Sequence, residues 1–106
     1  MELQHLEQLI RENQAVMLYF YSDRCAPCVS LRLKVEALIQ QNYSSFELCF
    51  IDSEKHPSIT AQFGVFANPA ILVFFEGNEF MRWSKYVSIQ QIETAIDRPY
   101  QIIFEE

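Results

Sequence analysis

The stretch Ala15-Val16-Met17-Leu18-Tyr19-Phe20-Tyr21-Ser22-Asp23-Arg24-Cys25-Ala26-Pro27-Cys28 decides how the rest of the chain is read. Its first seven residues form a nearly continuous apolar run of strand length, as expected of a central parallel strand buried on both faces. The polar Ser22-Asp23-Arg24 ends that run. From Pro27 the pattern turns helical: Val29, Leu31, Leu33, Val35, Leu38 and Ile39 alternate with Arg32, Lys34, Glu36 and Gln40 as far as Asn42. A strand that feeds directly into a helix is half of a βαβ unit. Cys25 and Cys28 fall at the junction.

Upstream, Leu3, Leu6, Leu9 and Ile10 recur at helical spacing among charged and amide residues, which predicts an amphipathic helix over 2–13. Downstream, residues 46–51 read as the next parallel strand. Pro57 opens a short helix carrying Ile59, Ala61 and Phe63 before Gly64. Residues 70–75 and 79–86 are strands separated by Glu76-Gly77-Asn78, a spacing suited to a hairpin, and Ile89, Ile92 and Ile96 mark a final helix. The predicted order is αβαβαββα. Beyond Pro99, the run Tyr100-Gln101-Ile102-Ile103-Phe104 is strand-like and apolar where a tail is usually polar, so it is expected to be covered.

A chain of 106 residues holds one compact core and is too short for two, so residues 1–106 are read as a single domain. Eight Lys plus Arg against fourteen Asp plus Glu leave a formal net charge of −6, with no basic cluster, which argues against nucleic acid as a partner. The opening Met1-Glu2-Leu3-Gln4-His5-Leu6-Glu7 lacks the basic and apolar regions of a signal peptide, and no run approaches the roughly 18 apolar residues of a membrane span. The expectation is a cytoplasmic protein with no membrane association.

Three cysteines in such a protein argue against a structural disulfide framework and point to redox or metal chemistry at Cys25-Ala26-Pro27-Cys28. Disulfide exchange needs a thiolate, hence a partly exposed Cys whose pKa lies below the free value of about 8.5. A helix starting within 26–28 aims unpaired N–H groups and the positive end of its dipole at Cys25, with Arg24 alongside, so Cys25 is the candidate nucleophile. Cys28, one turn in, is close enough to bridge to it and shielded enough to be the resolving thiol. Pro27 fixes φ and lacks an N–H that the first turn would leave unpaired. Two Cys three apart also occur by chance or as half of a zinc site, but the other ligand candidates are Cys49, His5 and His56, none at paired spacing. Cys49, between Leu48 and Phe50, reads as a buried structural cysteine. Trp83 reads as a packing residue, and His56 as the closing residue of a loop.

The segment from Tyr19 to Cys28 resembles the strand and active-site segment of the thioredoxin family. Ile51-Asp52, Pro57, Phe63-Gly64-Val65, Pro69, Leu72-Val73-Phe74-Phe75 and Gly77 follow that family's order as well, so the resemblance covers residues 3 to 97. It implies a thioredoxin-like α/β fold, a mixed central sheet flanked by helices, here without the usual first strand. The strand-like 100–104 would be an addition that caps a sheet edge, its own or a twin's, and so allows a homodimer. The resemblance also implies that Pro69 is a cis-proline set against the active-site disulfide, and that Asn68 before it offers backbone groups to an extended substrate segment. The implied activity is exchange of disulfides with protein substrates through Cys25 and Cys28, without a further cofactor. The protein would be recycled by a thioredoxin reductase or another dithiol donor.

Departures from the family pattern are informative. Ala26 stands where the family has glycine, and Arg24 where it has tryptophan. The family's buried acidic residue, which assists the second Cys, falls at Tyr19; its lysine partner falls at Leu48, and the lysine after the second Cys at Val29. Proton removal from Cys28 therefore lacks its usual helper, which predicts slow resolution of mixed disulfides. The same departures define the rival reading, a redox-weak binding or adaptor module.

Overall fold

The computed structural model describes residues 1–104. The order is α1 (Leu3–Glu12), β1 (Ala15–Tyr21), α2 (Ala26–Asn42), β2 (Glu47–Asp52), α3 (Pro57–Gln62), β3 (Ala70–Phe75), β4 (Asn78–Ser84) and α4 (Ile89–Phe104). The four strands form one sheet in the order β2-β1-β3-β4. β1 runs parallel to β2 and antiparallel to β3, and β3 antiparallel to β4, so the sheet is mixed. Among the described residues no strand precedes α1, as expected, which leaves β2 at one edge.

The apolar runs are explained by position. β1 and β3 are the interior strands, and every residue of β3 is buried. Side chains alternate across the pleat. Met17 and Tyr19 of β1 face a core with Leu31, Val35, Leu38 and Ile39 of α2 and Ile92, Ile96 and Tyr100 of α4. Val16, Leu18 and Phe20 face a second core with Leu6 and Ile10 of α1 and Ile59 of α3. Helices thus cover both faces. The hairpin is tighter than the sequence implied: Phe75 pairs with Asn78, and only Glu76 (φ 52°) and Gly77 (φ 82°) turn the chain, both in the left-handed region that such two-residue turns require.

Tyr100 to Phe104 are not a strand. α4 continues through Pro99 to Phe104, so the expected extra C-terminal strand, and with it a homodimer built by strand pairing through residues 100–104, has no basis in the fold. Ile92, Ile96, Tyr100 and Phe104 recur every four residues and lie on one helical face. Tyr100 is 5% exposed, with ring centroids 5.0 Å from Tyr43, 5.6 Å from Phe46 and 4.7 Å from Phe104. Its hydroxyl oxygen accepts from the Ser45 N–H at 3.0 Å. A proline in a helix interior costs about 3 kcal/mol in isolation. Burial of that aromatic cluster outweighs the cost.

Candidate active site

β1 ends in a tight turn, where the Cys25 N–H donates to the Ser22 carbonyl at 3.1 Å, and the chain enters α2 directly. Cys25 is the N-cap residue, with extended φ −98° and ψ 94°; Ala26 opens the helix and Pro27 lies in its first turn. The Cys28 N–H donates to the Cys25 carbonyl at 3.1 Å. The cysteines are joined, Sγ to Sγ 2.09 Å and Cα to Cα 5.3 Å. Cys25 is half-buried whereas Cys28 is 2% exposed. An incoming group reaches Cys25, and negative charge left on its sulfur faces the N-terminus of a helix of 17 residues. Arg24 points outward and meets Glu54 at 3.7 Å, an exposed pair linking the redox turn to the loop after β2.

The strand directions bring Asn68 and Pro69 to this same end of the sheet. Ala70 at the head of β3 pairs with Phe20 near the end of β1. The Asn68–Pro69 peptide bond is cis. The Lys85 N–H donates to the Pro69 carbonyl at 2.8 Å, which ties the end of β4 to it. The Ser53 hydroxyl, just after β2, donates to Asn68 Oδ1 at 3.0 Å. Cys25, Cys28, Arg24, Ala26, Pro27, Asn68 and Pro69 thus share the sheet end where β1 and β2 finish and β3 begins.

Two features of the site go beyond the sequence expectations. The Tyr19 hydroxyl donates to the Cys28 carbonyl at 2.7 Å, so the residue in place of a buried acid is tied to the redox turn itself. Burial pushes the Tyr19 phenol up to about 12, against the pull of the Arg32 charge. The available signal was chemical: a tyrosine inside a fully apolar strand must find a partner for its hydroxyl. The second feature is a cleft of about 240 Å³ beside the disulfide, bounded by Cys28, Asp23, Arg32 and Glu36 among others. Arg32 lies over the Phe50 ring, 3.9 Å from its centroid, and 3.7 Å from Glu36. No spacing rule could have placed that arginine.

The remaining cysteine, Cys49, is only partly buried on the edge strand β2, and burial followed by the Glu47 charge pushes its thiol up. Trp83 packs against the core from edge strand β4. The His56 N–H donates to the Asp52 carbonyl at 2.9 Å, closing the loop before α3. Among the described residues no three His, Cys, Asp or Glu side chains are grouped to hold a metal ion, and no helix is long and apolar enough to cross a membrane.

Comparison with known proteins agrees with this geometry. The thioredoxin family model matches residues 2–98. The thioredoxin-like protein YdfQ of Bacillus subtilis is 24% identical over 97 residues, 92% of this chain and 86% of that protein. Among solved structures, Fasciola hepatica thioredoxin superposes with a TM-score of 0.78 at 27% identity, covering 89% of this chain and 91% of that one. Oxidised mitochondrial thioredoxin 3 of Saccharomyces cerevisiae gives 0.80 at 22% identity, covering 90% and 89%. With the family model spanning nearly the whole chain and a cysteine pair bridged at the head of α2, the chain belongs to the thioredoxin family of thiol–disulfide oxidoreductases.

Proposed function

We propose that the protein reduces disulfides in protein substrates, with Cys25 as nucleophile and Cys28 as resolving thiol. The observation that carries this reading is the asymmetry of the pair: Cys25 half-buried at the N-cap of α2, Cys28 2% exposed one turn in. The Cys25 thiolate attacks one sulfur of the substrate disulfide, the other substrate sulfur leaves as thiolate, and a mixed disulfide forms. Cys28 loses its proton and attacks the Cys25 sulfur, forming the Cys25–Cys28 bond and releasing the second substrate thiol. Two electrons pass from the protein to the substrate, and the cysteine pair is the only redox group required.

Arg24, Ala26 and Pro27 shape the surface around Cys25. Asn68, at the same end of the sheet and held beside the cis-proline Pro69, offers backbone groups to an extended substrate segment, a form of strand addition. The oxidised pair is restored by a thioredoxin reductase or another dithiol donor, and the acidic chain works in the cytoplasm. Cys28→Ser in a Cys49→Ser background tests the proposal: it should accumulate protein mixed disulfides that a further Cys25→Ser change abolishes. The rival, a binding module with relaxed catalysis, draws on Tyr19 in place of the acid. It requires instead one stoichiometric partner retained without Cys25.

A further inference from the structure

Resolution requires the Cys28 thiol to lose a proton inside a nearly closed site, and the group beneath it cannot receive one. Tyr19 is 0% exposed and its hydroxyl proton is already directed at the Cys28 carbonyl. A neutral phenol is no base at physiological pH, and burial strengthens that neutrality. The other side of Cys28 is different. The cleft of about 240 Å³ that Cys28 borders carries two carboxylates, Asp23 on the redox turn and Glu36 on α2, and has ample room for water. Glu36 is engaged by Arg32 at 3.7 Å. Asp23 is in none of the three ion pairs among the described residues. Elsewhere at this end, Arg24 pairs with Glu54 on the rim, and buried Asp52 accepts from the Glu54 and Lys55 N–H groups.

We propose that Asp23 receives the Cys28 proton through water in this cleft, so that the proton leaves sideways along the redox turn rather than downward into the core. The inference rests on the exchange reading above. In the mixed disulfide, the Cys28 proton passes to water and on to the Asp23 carboxylate as the Cys28 sulfur attacks Cys25. The Cys25–substrate bond breaks, and the departing substrate thiolate takes up a proton from solvent or from Asp23. Arg32, on the same cleft, stabilises the thiolate as it forms and holds Glu36 aside.

The test uses the full chain with Cys49→Ala, reduced and mixed with 5,5′-dithiobis(2-nitrobenzoate) in a stopped-flow instrument. Attack by Cys25 releases the first coloured thiolate in a phase that scales with reagent, and attack by Cys28 releases the second in a phase that does not. Positioned general bases contribute a hundredfold or more, so Asp23→Asn should slow the second phase by about tenfold or more at pH 7 and leave the first unchanged. The difference should narrow as the pH rises and hydroxide removes the Cys28 proton without a protein base. Glu36→Gln should change the second phase less than twofold. A second phase in Asp23→Asn within twofold of the parent at every pH would overturn the relay while leaving the exchange reading intact. A parent protein that releases only one equivalent at any pH would overturn both.

Discussion

Replacing Tyr19 by phenylalanine isolates the tie between the central strand and the redox turn. The change removes one oxygen from a ring that is 0% exposed and leaves the packing of the ring in place. What is lost is a 2.7 Å hydrogen bond to the Cys28 carbonyl. That carbonyl lies in the first turn of α2 and keeps its helical N–H partner, so the loss is that of one net hydrogen bond, about 1 kcal/mol, with no buried acceptor orphaned. In a chain of 106 residues this lowers the midpoint of thermal unfolding by about 4–5 °C for the oxidised protein at pH 7. Alkaline pH supplies a second readout. The unfolded chain releases the Tyr19 proton near the ordinary 10, the native protein at about 12. Between those values the unfolded state binds fewer protons than the native state, so the stability that Tyr19 contributes falls with pH, by up to about 1.4 kcal/mol per unit. The Tyr19→Phe variant lacks this slope. The parent's advantage should therefore hold up to about pH 10, then vanish and invert before pH 12. Guanidinium unfolding in a Cys49→Ser background, monitored by circular dichroism, measures both effects. A Tyr19→Phe variant as stable as the parent at pH 7, or a difference that stays constant to pH 12, would refute the tie.

Three other perturbations probe separate parts of the structure. Tyr19→Asp places a carboxylate beneath Cys28 and should speed the resolving phase of single-turnover exchange at pH 7 while lowering stability; an unchanged or slower phase in the folded variant would count against proton removal as the slow event. Tyr100→Ala empties the space between Tyr43, Phe46 and Phe104 and should cost about 3–4 kcal/mol in denaturant unfolding, whereas a cost under about 1 kcal/mol would mean that α4 does not anchor its last turns there. Asn68→Ala frees the Ser53 hydroxyl and should raise KM for a protein disulfide several-fold with the glutathione equilibrium of Cys25–Cys28 unchanged; a shifted equilibrium with unaltered KM would assign Asn68 to the redox pair instead.

The architecture was legible where burial is symmetric and chemistry is local. Ala15 to Tyr21 and Ala70 to Phe75 are apolar without interruption because they are the two interior strands; that pattern placed the first at the centre of the sheet, and the hairpin spacing around Glu76-Gly77-Asn78 marked the second as a strand. Cys25 and Cys28 were legible because a strand, two thiols and a helix start follow each other within a few residues. Tyr100 to Phe104 were misread because β-branched and aromatic composition, with Pro99 as apparent punctuation, hid a four-residue step that continues from Ile92 and Ile96. That step has meaning only once the aromatic cluster of Tyr43 and Phe46 exists to receive it. The same holds for the site. Tyr19 could be seen to replace an acid, but its bond to Cys28 and the cleft beside Arg32 and Asp23 arise from packing α2 against β1 and β2, which no local pattern encodes.

The most direct test of the central claim is the equilibrium of the Cys25–Cys28 pair in glutathione buffers of graded ratio, with the thiols counted by alkylation and mass. A single reversible transition in which both cysteines change together, absent from the Cys28→Ser protein, is the result expected of a thiol–disulfide oxidoreductase. A pair that stays fully reduced in the most oxidising buffer, or fully bridged in the most reducing one, would contradict it.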